Sequence, residues 1–225
     1  MVDVNGKTMI HRMYEHVVQA ESLSKVVVAT DDERIRTHVE SFGGNVILTA
    51  EHHKCGTDRC AEVLEKEPGF EIVINIQGDQ PFVHPQEIDE VVALFRDEQV
   101  GIGTLATKIL DTETLTNPHK PKVHIGANGT AIAFSRKPVP ALDESDYEKC
   151  LEKQTYYKHI GIYGYRANIL REIAQLEPTA SEKEESLEQL RWLDSGYKIA
   201  VAITEMESYA VDTPEDLKRL LDQSG

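Results

Sequence analysis

Asp79 and Asp212 are the two residues whose type and setting best suit them to chemistry. Asp79 stands in Gln77-Gly78-Asp79-Gln80-Pro81, directly after the run Ile72-Val73-Ile74-Asn75-Ile76. A short β-branched run of this kind reads as a buried parallel strand, and it delivers the carboxylate to the sheet's carboxyl edge, where open α/β sheets bind ligands. Glycine lets a substrate approach the turn closely, so the carboxylate is placed to hold Mg²⁺ against a phosphate. From the pentapeptide alone, a solvated aspartate on a strand–turn fits equally well. Asp212, in Val211-Asp212-Thr213, precedes a well-formed helix start, Thr213-Pro214-Glu215-Asp216. Capping explains it by itself. A Mg²⁺ ion on a triphosphate nevertheless takes one or two protein carboxylates, and both aspartates end strands of the same expected sheet.

Three further clusters carry polar chemistry. Thr30-Asp31-Asp32 closes the strand at 26–29, with Asp32 reading as a helix cap. His52-His53-Lys54-Cys55-Gly56-Thr57-Asp58-Arg59 packs small, basic and hydroxyl groups before a helix, whose free N–H groups can receive an anion or a base edge. Along 156–166, strand alternation puts Tyr157, His159, Gly161, Tyr163 and Tyr165 on one face. That face reads as a polar pocket of sugar size, or as an edge strand with an aromatic ladder. Glu185, Glu188, Gln189 and Arg191 on the following helix could reach the same space, or form an ordinary solvated face.

The elements that must position these groups alternate. Helices are expected over 7–21, 32–42, 58–66, 85–96, 166–176 and 182–195, with a last one from 213. Strands are expected over 25–30, 45–49, 72–76, 103–108, 156–165 and 199–203. Such alternation implies βαβ units around a mostly parallel sheet with helices on both faces, a Rossmann-like α/β architecture in one domain spanning 1–225. The pattern changes at about 120–156. Segments 122–125 and 130–135 flank Asn128-Gly129, a type I′ hairpin signal, and 137–154 reads as a long surface loop. This inserted antiparallel arm could be a lid, a dimerisation arm or an inert embellishment.

Composition excludes some partners. Asp+Glu at 39 against Lys+Arg at 24 gives a formal charge of -15, which disfavours nucleic acid and anionic membrane. A nucleotide, needing only local donors, stays open. Cys55, Cys60 and Cys150 are odd in number and lack framework spacing, so a reduced, cytoplasmic setting is expected. His52 and His53 near Cys55 and Cys60 raise the question of zinc, but no second Cys/His pair at ligand spacing completes a site. No signal peptide is seen, nor an apolar stretch near the ~20 residues of a membrane span.

Taken together, the segments resemble the 3-deoxy-manno-octulosonate cytidylyltransferases, or CMP-KDO synthetases. The resemblance rests on Val-Ala-Thr-Asp at 28–31, Gly-Thr-Asp-Arg at 56–59 and Asn-Ile-Gln-Gly-Asp-x-Pro at 75–81. It continues through Phe-Ser-Arg at 134–136, Lys-His-Ile-Gly-Ile-Tyr-Gly-Tyr-Arg at 158–166, Ser-Leu-Glu-Gln-Leu-Arg at 186–191 and Val-Asp-Thr-Pro-Glu-Asp at 211–216. It implies a nucleotidyltransferase-type fold and transfer of CMP from CTP to the anomeric hydroxyl of KDO, releasing pyrophosphate, for lipopolysaccharide biosynthesis. It further implies that Asp79 and Asp212 hold Mg²⁺ and are the catalytic carboxylates. Ala29, Thr30, Gly56, Thr57 and Arg59 would line the cytidine site. Gln77, Arg136, His159, Tyr163, Glu188 and Gln189 would hold the sugar acid, in a homodimer.

Three departures from the family pattern stand out. Gln80 replaces a common Glu, and Cys55 a common Ser. The family also opens with a strand and a basic loop, Pro-Ala-Arg-x-x-Ser-x-Arg-x-Pro-Gly-Lys-Pro-Leu, whereas Met1–Lys7 resembles the segment just after that loop. Little turnover is therefore expected of the chain as written, because those cations grip the triphosphate. Transfer to another sugar acid, such as sialic acid, and a non-catalytic sugar-acid-binding or oligomerisation module are the other readings.

Overall fold

The computed structural model describes residues 2–4, 6–78, 80, 82–141 and 147–206. They form two compact units: one from the described residues of 2–70 and 75–89 with Met206, the other from 71–74 and 90–205.

In the first unit, β1 (Asp3–Val4) pairs antiparallel with β2 (Lys7–Thr8), which leads into α1 (Met9–Val17). The Thr8 hydroxyl caps α1 by accepting from the His11 amide at 3.4 Å. β3 (Val28–Thr30) and β4 (Val46–Leu48) are parallel, joined through α2 (Glu33–Ser41) as a βαβ crossover. Asp32 caps α2 as expected, accepting from the Arg34 amide at 2.7 Å. α3 (Gly56–Lys66) follows β4; β5 (Ile72–Asn75) and α4 (Pro85–Leu94) each contribute residues to both units.

The second unit is built on one six-stranded sheet. In chain order come β6 (Ile102–Lys108), α5 (Thr112–Thr116), β7 (Lys122–Ile125), β8 (Ala131–Ser135) and α6 (Tyr147–Lys153). They are followed by β9 (Tyr157–Arg166), α7 (Ala167–Ile173), α8 (Ala180–Glu185), α9 (Gln189–Asp194) and β10 (Ile199–Ile203). The strand order is β10-β6-β9-β7-β8, with β5 also on β9. β10 and β6 are parallel, while β9 runs antiparallel to β6 and to β7. The α/β architecture is the expected one, with a mixed sheet whose antiparallel pairs extend beyond the inserted hairpin.

Four local features differ from the sequence reading. Residues within 137–154 form α6 rather than only loop, because Tyr147, Cys150 and Leu151 share a helical stripe and pack on buried Ile109, Leu115 and Tyr156. The short helix α5, capped by Asp111, is an addition to the expected elements. The β7–β8 turn is not type I′: Asn128 lacks the positive φ that turn requires, and only Gly129 is left-handed, at φ +75°. The Gly129 amide donates to the Gly126 carbonyl at 3.0 Å, and a register shift follows at His124/Ile125, as in a longer hairpin with a bulge. The expected helix over 182–195 is broken into α8 and α9 at Ser186, which is left-handed at φ 51°, ψ 48°.

Gly103 of β6 and Gly164 of β9 are direct cross-strand partners. The pair leaves room for Phe95: a Cβ on Gly164 would lie 2.5 Å from its ring and 2.9 Å from a Val91 methyl. Both neighbours are buried and cannot yield cheaply. Gly164→Ala is expected to destabilise the fold by about 1–3 kcal/mol, read from the denaturant midpoint at unchanged m-value.

Candidate active site

Of the residues expected to hold the sugar acid, His159 and Tyr163 share one face of β9. His159, Tyr163 and Tyr165 oppose Ala106, Thr104 and Ile102 of β6, so alternation along β9 holds as expected. It holds despite a register shift between Thr104 and Leu105, where β9 carries Gly161 and Ile162 as extra residues. β9 is an interior strand rather than an edge, since β6, β7 and β5 all pair with it. The aromatic ladder is nonetheless real: Tyr163 and Tyr165 stack at 6.0 Å, and Trp192 of α9 meets both edge-on, at 5.1 and 5.6 Å.

Thr104 organises the polar part of that face, and sequence reasoning missed it. A threonine inside a strand is ordinary, so nothing marks it. Its Oγ1 lies 2.7 Å from the Ile162 carbonyl, 3.2 Å from the Ile160 carbonyl and 3.0 Å from His159 Nε2. A hydroxyl has one proton, and here it goes to the carbonyls that flank the extra residues of β9. Thr104 must then accept from His159, so the ring proton sits on Nε2 and Nδ1 keeps its lone pair. Burial pushes the imidazole from its ordinary 6.5 down to about 3, so it is neutral at physiological pH.

Tyr163 is the complementary group. Burial first, then the nearby Tyr165 and Glu188, raises its phenol well above the ordinary value of 10, leaving a neutral donor. Its hydroxyl is buried without a hydrogen-bond partner among the described residues, as are Gln189 Nε2 and the Trp192 indole N–H. Glu188 precedes α9, and Gln189, 4% exposed, is its first residue. Arg136, after β8, spends its guanidinium on the protein: Nε donates to the Glu185 carbonyl (2.6 Å), Nη1 to Pro118 (3.0 Å) and Nη2 to Ser186 (3.1 Å). Among the described residues, these bonds use three of its five N–H groups.

The residues expected to line the nucleotide site lie in the first unit. Ala29 and Thr30 end β3; Thr30 Oγ1 accepts from the Asp32 amide at 3.1 Å. Gly56, Thr57 and Arg59 open α3, whose N-cap residue Cys55 supplies no capping side-chain bond. Arg59 is held by Thr49 Oγ1 and by Asp31 at 3.0 Å. Gly56 is needed for close approach: a Cβ there would lie 3.0 Å from Asn75 Nδ2 and 3.5 Å from Gln77 Nε2. Asn75 Nδ2 and Gln80 Oε1 are buried and unpartnered among the described residues. Near the start of α3, the Asn75 amide offers a donor and the Gln80 carbonyl oxygen an acceptor, a mixed set suited to a base edge. Asp79 and Asp212 lie outside the described residues.

A class follows from the fold and this donor-lined geometry, and comparison with known proteins defines it. The chain belongs to the cytidylyltransferase family, whose model matches residues 1–199. Proteins named 3-deoxy-manno-octulosonate cytidylyltransferase are similar to it: that of Parabacteroides distasonis is 46% identical over 98% of this chain and 89% of its own length. That of Cytophaga hutchinsonii is 47% identical over 98% and 88%. Among solved structures, a CMP:2-keto-3-deoxy-manno-octonic acid synthetase complexed with CTP superposes with a TM-score of 0.90 at 36% identity, covering 99% of this chain and 90% of that one. A 4-diphosphocytidyl-2C-methyl-D-erythritol synthase from Anaerococcus prevotii shares the fold, with a TM-score of 0.63 at 15% identity over 99% of this chain and 91% of that one.

The His159 assignment makes a pH prediction. Its folded value lies below its unfolded one, so the unfolded chain takes up a proton first as pH falls. The stability this contributes is complete above about 6.5 and is lost progressively towards about 3. NMR of the ring is expected to show the neutral Nε2–H form still present at pH 5; a ring titrating near 6.5 contradicts the assignment.

Proposed function

We propose that the protein transfers CMP from CTP to the anomeric hydroxyl of KDO. The anomeric oxygen attacks the α-phosphorus, loses its proton, and pyrophosphate departs. The observation that carries this reading is a pair of donors, Tyr163 Oη and Gln189 Nε2, buried and unpaired among the described residues, with the His159 ring 5.2 Å from that of Tyr163. A polyhydroxy acid offers acceptors to the two donors and a hydroxyl proton to the imidazole Nδ1. Unsatisfied buried donors cost stability, and a ligand removes that cost when it binds. The names of the relatives, at 46 and 47% identity, point to the same substrate.

On this reading Ala29, Thr30, Gly56, Thr57 and Arg59 hold cytidine, while Gln77, Arg136, His159, Tyr163, Glu188 and Gln189 hold the sugar acid. Two carboxylates are the donor set of a hard ion, so Asp79 and Asp212 would hold Mg²⁺. Bound there, Mg²⁺ supplies neutralisation of phosphate charge, which phosphoryl transfer needs more than covalent help. The chain's own residues orient the sugar oxygen and exclude water from it. A homodimer in the cytoplasm completes the proposal. It is supported by exposed Ile132 on the hairpin and by three cysteines that form no disulfide. Among the described residues, no helix is long and apolar enough to cross a membrane.

Pyrophosphate release from CTP is expected to require KDO. Release with sialic acid in preference to KDO would overturn the substrate assignment. Tyr163→Phe is expected to keep or raise the melting temperature, because it deletes an unpaired buried hydroxyl, and to weaken KDO about tenfold, the worth of one hydrogen bond.

A further inference from the structure

Lys122 on β7 is fully buried, yet among the described residues no carboxylate neutralises it. Its ammonium donates to two backbone carbonyls, Asn117 at 2.6 Å and Arg136 at 3.0 Å. Its strand partners are Ser135 on β8 and Lys158 on β9, and Lys120 and Arg136 are the nearby cations. Burial, and after it those two charges, lowers Lys122 to about 8. A charge kept in such a place must be compensated by the groups it holds.

Lys122 holds the base of Arg136, and Arg136 holds a strained turn. The Arg136 backbone N–H donates to Glu185 Oε2 at 2.9 Å, and Ser135 Oγ donates to Glu185 Oε1 at 3.0 Å. The guanidinium takes the Glu185 and Ser186 carbonyls from the other side. Ser186 sits in the left-handed region, which a non-glycine residue occupies only when its surroundings impose it. Glu188 and Gln189 come within three residues of it, and the direction in which they leave that turn sets where the Gln189 amide points.

We propose that Lys122 is a positioning residue of the sugar-acid site: with Arg136 it forms a two-cation strut that fixes the Glu185–Ser186 turn and so aims Gln189. The chemistry assigned to the turn rests on the function proposed above; the strut itself does not. A lysine here as plain core filler would contribute packing volume alone, which methionine nearly reproduces.

Two measurements on Lys122→Met and Lys122→Arg separate these outcomes. Hydrogen exchange on substrate-free protein is expected to speed up about tenfold at the amides of 186–190 in K122M, while 56–66 stays unchanged. In kinetics, KM for KDO is expected to rise about tenfold, with KM for CTP and kcat within about twofold. Lys122→Arg keeps the charge and reaches the same carbonyls, and both readouts should return towards the parent value. Unchanged exchange at 186–190 in K122M overturns the strut, as does an equal rise in both KM values. If K122M fails to fold, Lys122→Gln, which keeps a donor without the charge, is read by the same criteria. A parent protein that ignores KDO overturns the function instead and leaves the exchange result to decide the strut.

Discussion

Strand β9 must be buried on both faces and polar on one of them. It lies inside the sheet, paired with β6 on one side and with β7 and β5 as well, so neither edge is open, and residues on both of its faces are buried. Ile160 and Ile162 fill one face. The other holds His159, Tyr163 and Tyr165, whose rings are covered by one another and by Trp192 and Phe134. Their polar atoms need separate treatment. Thr104 accepts a hydrogen bond from His159, the Tyr163 hydroxyl has no partner among the described residues, and the two extra residues of β9 are tied down by the same threonine. An unpaired buried donor costs about 1–3 kcal/mol, so a face with several is stable chiefly by virtue of the packing around it.

The remainder of the second unit's candidate site depends on that face. α9 is placed by Trp192 against the two tyrosines, with Gln189 its first residue and Glu188, just before it, close enough to add to burial in raising the Tyr163 pKa. The turn entering α9 is held by the Lys122 and Arg136 donors rather than by helix propensity. In the first unit the counterpart is steric. Gly56 has no Cβ, and so the Asn75 and Gln77 amides stand close to the start of α3. Both halves present donors, in keeping with a nucleotide and an acid as ligands.

Much of this was legible as pattern. The β-branched run at 72–76, the Asp32 cap and the alternation along 156–166 are local signals, and they produced the elements and faces they predict. The features that escaped the sequence are set by partners distant in the chain. The α6 segment looks like polar loop until Ile109 and Tyr156 supply a surface for Tyr147 and Leu151. The break at Ser186 lies in a stretch of good helix formers, and Arg136, fifty residues earlier, is the group that stabilises it. Thr104 and Lys122 carry no motif at all; only pairing across the sheet gives them a role. Arg136 reads in the sequence as a sugar-acid ligand, and the structure adds that most of its guanidinium serves the protein's own carbonyls.

The central claim is that the unpaired donors of the second unit are there to be completed by a sugar acid. A crystal structure of the chain with KDO tests it most directly. A KDO oxygen within about 3 Å of both Tyr163 Oη and Gln189 Nε2 is the predicted result. KDO bound elsewhere, with those two atoms still unpaired, would contradict it.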